Sequence, residues 1–156
     1  AHRPQRLIPE LILSLIGFLK LVLGERNAEE VAVLDRAINT TYRLKGITKS
    51  ADYKPPMQLP LMEDLYKVLI GMEDALSQSL SLRLERFIKG SLAGIFSAQS
   101  NVQIHNQLTV FSVRDLPESL RPLSMYLILD YIWTKIRFEF KKRILIVDEA
   151  LYMMKY

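Results

Sequence analysis

The chain contains no cysteine and only two histidines among its 156 residues. The first absence removes disulfide frameworks and thiolate metal sites, and suits a reducing compartment. The second leaves His2 and His105 without a partner histidine at ligand spacing, so neither is expected to hold a metal. No sign of charge dominates. Twenty-one Lys and Arg against 17 Asp and Glu give a net +4, which permits contact with phosphates or an anionic surface but does not call for either. Long apolar runs are missing too. The best candidate, Leu11 to Leu23, follows Glu10 and is interrupted by Lys20, and falls short of the ~20 apolar residues a bilayer crossing needs. Glu10, with no small-residue cleavage site after it, also argues against a signal peptide. Membrane association is therefore expected only at the periphery or through partners. There is no internal repeat and no low-complexity tract.

What is present reads as one globular domain. Hydrophobic residues make up 49% and charged residues 24%, ordinary values for a chain long enough to bury a core. The first two thirds have helical periodicity. Leu7, Ile8, Leu11, Ile12, Leu15, Ile16, Leu19, Val22 and Leu23 recur at three and four and stop at Gly24. Asn27 with Glu30 makes a capping box, opening a second helix through Val31, Leu34, Ile38 and Tyr42 that ends at Gly46. Ser50 to Pro60 is a loop, because Pro55, Pro56 and Pro60 each disfavour helix in the residue before them. Pro60 then suits the first turn of a third helix, with Glu63 and Asp64 on its positive end and a stripe of Leu61, Leu65, Leu69 and Met72. A fourth helix places Leu80, Leu84, Phe87 and Ile88 inward, and Gly90 and Gly94 break it. Ser97 to Asn106 is polar loop.

The period then changes. "LTVFSV" (Leu108 to Val113) and "ILIV" (Ile144 to Val147) are short, apolar and β-branched, and are expected to be buried strands. Between them lies a long helix, roughly Ser119 to Phe140, carrying Leu123, Tyr126, Leu127, Tyr131, Trp133 and Ile136. Strand, helix, strand is the βαβ unit, with parallel neighbours and a right-handed crossover. Two strands are too few for a free-standing parallel sheet, so this third of the chain reads as a piece of a larger core. The predicted fold class is mainly α with a small parallel βαβ unit. Residues 1–106 are the helical region and 107–156 the partial core.

The second strand runs straight into Asp148 and Glu149. In open α/β sheets ligands gather beyond the carboxyl ends of strands. An aspartate there can hold Mg²⁺ through water while the metal bridges nucleotide phosphates, and a glutamate one residue on can orient or deprotonate the attacking water. The plainer alternative is a strand that ends in two solvated acids. The basic block Lys135 to Arg143, with Phe138 and Phe140 interleaved, has the composition of a nucleic-acid contact. Cations that close a helix and complement its dipole account for it more simply.

Three stretches, "GSLAGIFSAQSNV" (Gly90 to Val102), "LTVFSVRDLPESLRPLSMYLILDYIW" (Leu108 to Trp133) and "RILIVDEALYMM" (Arg143 to Met154), occur in an order that resembles the large ATPases of type IV secretion and conjugation systems, the TrbE/TraC/CagE type related to FtsK and HerA motors. The likeness runs from about Leu59 to Met154. It implies a RecA-like core carrying a helical insertion, with Asp148 and Glu149 as the Walker B pair. The family often has tryptophan after Asp-Glu-Ala, whereas this chain has Leu151 and then Tyr152. The resemblance further implies ATP and Mg²⁺ as cofactors, a hexamer with shared active sites, and partners in a secretion channel. It also implies protein, pilin or DNA as cargo, and a cytoplasmic position at the inner face of the cell membrane.

A phosphate-binding loop requires G-x-x-x-x-G-K-[ST], so that backbone amides wrap the phosphates. In "RLKGITKS" (Arg43 to Ser50), Arg43 and Thr48 stand where both glycines are needed, so the stretch is expected to be a helix end and a loop. The family carries that loop before its helical insertion and its sensor segments and arginine finger after the Walker B strand. The chain is accordingly expected to be a piece of a larger ATPase and inactive by itself. Two other readings compete: a non-enzymatic helical domain that docks proteins, and a DNA-translocating relative of the FtsK/HerA branch.

Overall fold

The computed structural model describes residues 7–24, 27–47, 58–90, 92–98, 106–138 and 141–148. The chain divides into two compact units, Ala1–Val102 and Gln103–Tyr156.

The first unit is a helical bundle of α1 (Leu7–Leu23), α2 (Ala28–Leu44), α3 (Met62–Gly71), α4 (Ala75–Ile88) and the single turn α5 (Ala93–Phe96). Local chemistry sets the ends of these helices. Gly24 follows α1 at φ +84°, a left-handed conformation that side chains with a Cβ resist. Asn27 opens α2 as expected: its side chain accepts from the Glu30 amide at 2.8 Å, while the Glu30 carboxylate accepts from the Asn27 amide at 3.3 Å. A Schellman motif closes α2. The Gly46 amide donates to Arg43 O at 2.9 Å, the Ile47 amide donates to Tyr42 O at 3.0 Å, and Gly46 has φ +76°. Ile47 is buried behind the turn.

Helix α3 starts at Met62, with Leu61 as its N-cap residue. Leucine has no side-chain acceptor, so the Asp64 carboxylate serves the end alone, accepting from the Leu61 amide at 2.8 Å. Asp74 separates α3 from α4 by accepting from the Ser77 amide at 2.8 Å, a cap that periodicity alone does not reveal. Ser77 is fully buried; its hydroxyl donates to Met72 O and Asp74 O, which satisfies both the hydroxyl and the turn.

The bundle core is built from α1, α2, α3 and α4. Phe18, Leu19, Leu34, Ile38, Leu69, Leu80, Leu84 and Phe87 have almost no exposed surface, each side chain contributing about 1.5–3 kcal/mol of burial. α3 packs most extensively on α4, α2 lies against both, and α1 lies against α2 and α4. The short α5 is held by aromatic contact: Phe96 lies 5.6 Å from the Phe18 ring and 5.7 Å from the Phe87 ring, the latter edge-on. Polar pairs tie helix to helix around this core. The Arg83 guanidinium sits 3.4 Å from the Glu30 carboxylate, and Lys45 sits 3.0 Å from Asp64. The Tyr66 hydroxyl donates to Glu85 at 3.3 Å and accepts from Lys89 at 3.2 Å.

In the second unit a 3₁₀ turn, Glu118–Leu120, leads directly into α6, Arg121–Phe138. The helix lies where the periodicity places it, and Leu120 and Leu123 are buried at its start. The expected βαβ unit is a correction. Leu108 to Val113 and Ile144 to Val147 form no β-ladder, and there is no strand among the described residues. Ile144, Ile146, Leu108 and Val110 are exposed at 91%, 85%, 81% and 79%. The physical reason lies in what a parallel pair requires. Its strands are stabilised by burial of both faces and by ladder bonds to neighbours on either side, and among the described residues nothing covers these apolar side chains. The segments therefore remain outside regular secondary structure, and the fold observed among the described residues is all-helical.

Candidate functional site

The two sequence-derived site residues stand differently in the structure. Asp148 is exposed, in a turn that follows the irregular stretch 141–147. Glu149 lies outside the described residues. A carboxylate oxygen is a hard donor suited to Mg²⁺, usually through water. Among the described residues no group of three or more His, Cys, Asp and Glu side chains comes together as a metal cage. Among the described residues Asp148 therefore does not form a self-contained metal site. His2 and His105 lie outside the described residues.

The stretch Leu108–Val113 also ends in a polar turn, and this one is built in detail. The Leu116 amide donates to Val113 O at 3.2 Å, closing a turn that leaves Arg114 and Asp115 exposed. Arg121, the first residue of α6, reaches back to it. Its Nε donates to Leu116 O and its Nη2 to Arg114 O, each at 3.1 Å. The two carbonyls flank Asp115, so the guanidinium fork grips the backbone on both sides of that residue. Nothing in the sequence singles out Arg121, because a lone arginine at a helix start carries no motif. The contact depends on how the 3₁₀ turn folds the chain back.

Two further stretches stand out by their sequence. In Arg43 to Ser50, the Schellman geometry at Gly46 ends a helix, and residues 48–50 lie outside the described residues. Of the basic block, Lys135 sits half-buried in the last turn of α6, and Lys141, Lys142 and Arg143 are exposed beyond the helix.

Electrostatics in the helical unit concern its architecture. Burial pushes the Asp64 carboxyl up. The Leu61 N–H, the Lys45 ammonium and the charge of Lys67 outweigh that effect and hold it below the usual carboxylate range. The hydrogen bond and electrostatic interaction with Tyr66, with a smaller contribution from Glu85, raise the Lys89 ammonium above the usual lysine value. Burial alone pushes the Tyr42 phenol up. No helix among the described residues is long and apolar enough to cross a membrane.

No family model and no curated protein matches the chain. Among solved structures, VirB4 of Thermoanaerobacter pseudethanolicus is similar, with a TM-score of 0.80 at 23% sequence identity over 96% of this chain. The likeness is one of fold. The chain spans 42% of that protein's length.

Proposed function

We propose that this chain is the helical region and part of the nucleotide core of an ATP-hydrolysing motor of the type IV secretion class. The observation that carries the reading is the VirB4-like fold over 96% of the chain. The acid pair Asp148–Glu149 stands at the end of the last apolar segment, where such a core would place its Walker B residues. Residues 1–106 are the helical insertion and 107–156 the partial RecA-like core.

When bound, Mg-ATP supplies the phosphoryl chemistry. Asp148 would hold a metal-bound water through its carboxylate, and Glu149 would orient the attacking water and accept its proton. The motor acts as a hexamer at the inner face of the cell membrane, with secretion-channel components as partners and protein, pilin subunits or DNA as cargo. The 156-residue chain alone hydrolyses no ATP, because phosphate affinity in this class comes largely from a loop its sequence does not contain.

The test is a pair of variants in the full-length protein that carries this chain. Glu149→Gln keeps the size and hydrogen-bonding reach of the side chain but cannot act as a base. Turnover should fall about 10²–10⁴-fold with Mg-ATP binding nearly intact. Asp148→Asn should instead weaken the Mg²⁺-dependent part of nucleotide binding. Wild-type hydrolysis in both variants would reduce the acids to ordinary surface charge and favour the protein-docking alternative.

A further inference from the structure

We infer that the stretch Lys141 to Asp148 is a docking surface for a second copy of this chain, the two copies pairing antiparallel about Leu145. The inference is independent of the ATPase reading and concerns the 156-residue chain, in which this stretch forms no ladder. Lys141, Lys142 and Arg143 are followed by Ile144, Leu145, Ile146 and Val147, and then by Asp148 and Glu149. Every residue from Lys141 to Asp148 is exposed, Ile144 at 91% and Ile146 at 85%. Contiguous apolar side chains left open in this way mark an interaction surface. β-Branched residues with no proline or glycine among them suit a strand, and an apolar strand without neighbours is a template for another chain.

The order of the charges selects the partner. Cations lie at one end of the apolar run and acids at the other. A parallel copy in register would set like charges side by side, whereas an antiparallel copy sets opposite charges together. Residues directly opposite in an antiparallel pair share a face, so a two-fold axis must pass through a residue position. With the axis at Leu145, Lys142 of each copy stands opposite Asp148 of the other and Lys141 opposite Glu149. Ile144 stands opposite Ile146, and Leu145 opposite itself. One face then gathers Ile144 and Ile146 of both copies, the most exposed side chains of the run, between two Lys142–Asp148 pairs. Moving the axis one residue either way sets an isoleucine opposite a charge, Ile144 against Asp148 or Ile146 against Lys142. The match is specific to one register of one partner, a copy of the chain itself.

The test is the association state of the 156-residue chain. Four apolar residues per copy make a small interface, so sedimentation equilibrium should show monomer and dimer with a Kd on the order of 10⁻⁵–10⁻⁴ M. Lys142→Glu or Asp148→Lys sets like charges opposite each other twice per dimer, and each should raise that Kd at least about tenfold. An equimolar mixture of the two variants restores both pairs and should dimerise about as the wild type does. The chain has no cysteine, so an introduced one reports the register. With oxidised glutathione, Leu145→Cys should form a disulfide dimer at least about tenfold faster than Val147→Cys, whose two copies would stand about 13 Å apart along the strands, beyond disulfide reach. All four side chains are exposed, so the substitutions leave the fold intact. A chain that stays monomeric to about 10⁻³ M, a dimer indifferent to both charge changes, equal crosslinking of the two cysteine variants, or growth past the dimer would each overturn the inference. None of these results touches the ATPase reading, which stands or falls on Glu149→Gln.

Discussion

Glu30 joins two kinds of stabilisation in one side chain, and substitutions can separate them. Its carboxylate accepts from the Asn27 amide within the capping box and lies 3.4 Å from Arg83 on α4. The Glu30 side chain is 11% exposed and Arg83 47%, so the ion pair is half in water. A pair so screened is worth about 0.5 kcal/mol. The capping contribution is about 0.5–1 kcal/mol, toward the low side because the bond is long at 3.3 Å. Glu30→Gln keeps an acceptor for the Asn27 amide and loses only the charge. Glu30→Ala loses both and leaves a half-buried amide to find water. The expected costs are therefore about 0.5 kcal/mol for glutamine and about 1–1.5 kcal/mol for alanine. For a helical unit of about 100 residues these correspond to melting shifts of roughly 2–4 °C and 4–12 °C. Urea titration of the 156-residue chain at about 0.05 M and about 1 M NaCl makes the separation visible. At ~3 Å Debye length the glutamine deficit should all but vanish, while the alanine variant keeps its capping deficit. Equal costs for the two variants at low salt would refute the division. It would mean that the amide does not take over the cap, or that the charge acts through a partner other than Arg83.

Leu84 is fully buried on α4, so Leu84→Ala should cost about 2–5 kcal/mol in urea unfolding; under about 1 kcal/mol would place it outside the core. Gly46 has φ +76°, and no neighbouring atom lies within 4 Å of where a Cβ would stand. Gly46→Ala should therefore lose about 1 kcal/mol through backbone strain alone, and Gly46→Asn should lose less; equal thermal stability of all three chains would remove the strain argument. The Asp64 carboxyl is held below its usual range in the folded state. As the pH falls the unfolded chain protonates first, so the stability from this group is fully present above about pH 4 and is lost as pH drops through the lower folded value. Urea midpoints of wild type and Asp64→Asn should differ at about pH 6 and converge toward about pH 3; a gap that does not change with pH would remove Asp64 from the acid response.

Helix boundaries written in a few consecutive residues are legible in the sequence alone. Gly24, the Asn27–Glu30 box and the Gly46 stop act within one turn of backbone, and each is found where the sequence places it. The apolar stripes of α1, α2 and α4 are readable in part: Ile12, Leu19, Leu23, Leu34, Ile38, Leu80, Leu84 and Phe87 are buried as the 3.6 period places them, whereas Val31, Tyr42 and Ile88 are half-buried and Phe18, Val33 and Ala37 are buried outside the expected stripes. The covering partner is a tertiary matter. Nothing in the spacing of Glu30 and Arg83, of Lys45 and Asp64, or of Phe18, Phe87 and Phe96 announces that they meet. Those contacts follow from how the helices cross. Arg121 belongs to the same class, because its grip on Arg114 and Leu116 exists only once the 3₁₀ turn has folded the chain back. The two strands expected from composition fail for a related reason. Leu108–Val113 and Ile144–Val147 have strand composition, but a helix bonds its own backbone whereas a strand depends on neighbours for every ladder bond. A propensity for β structure is realised only where another strand lies alongside and a layer covers the apolar face. Among the described residues neither surrounds Ile144 and Ile146, so those side chains remain exposed on irregular chain.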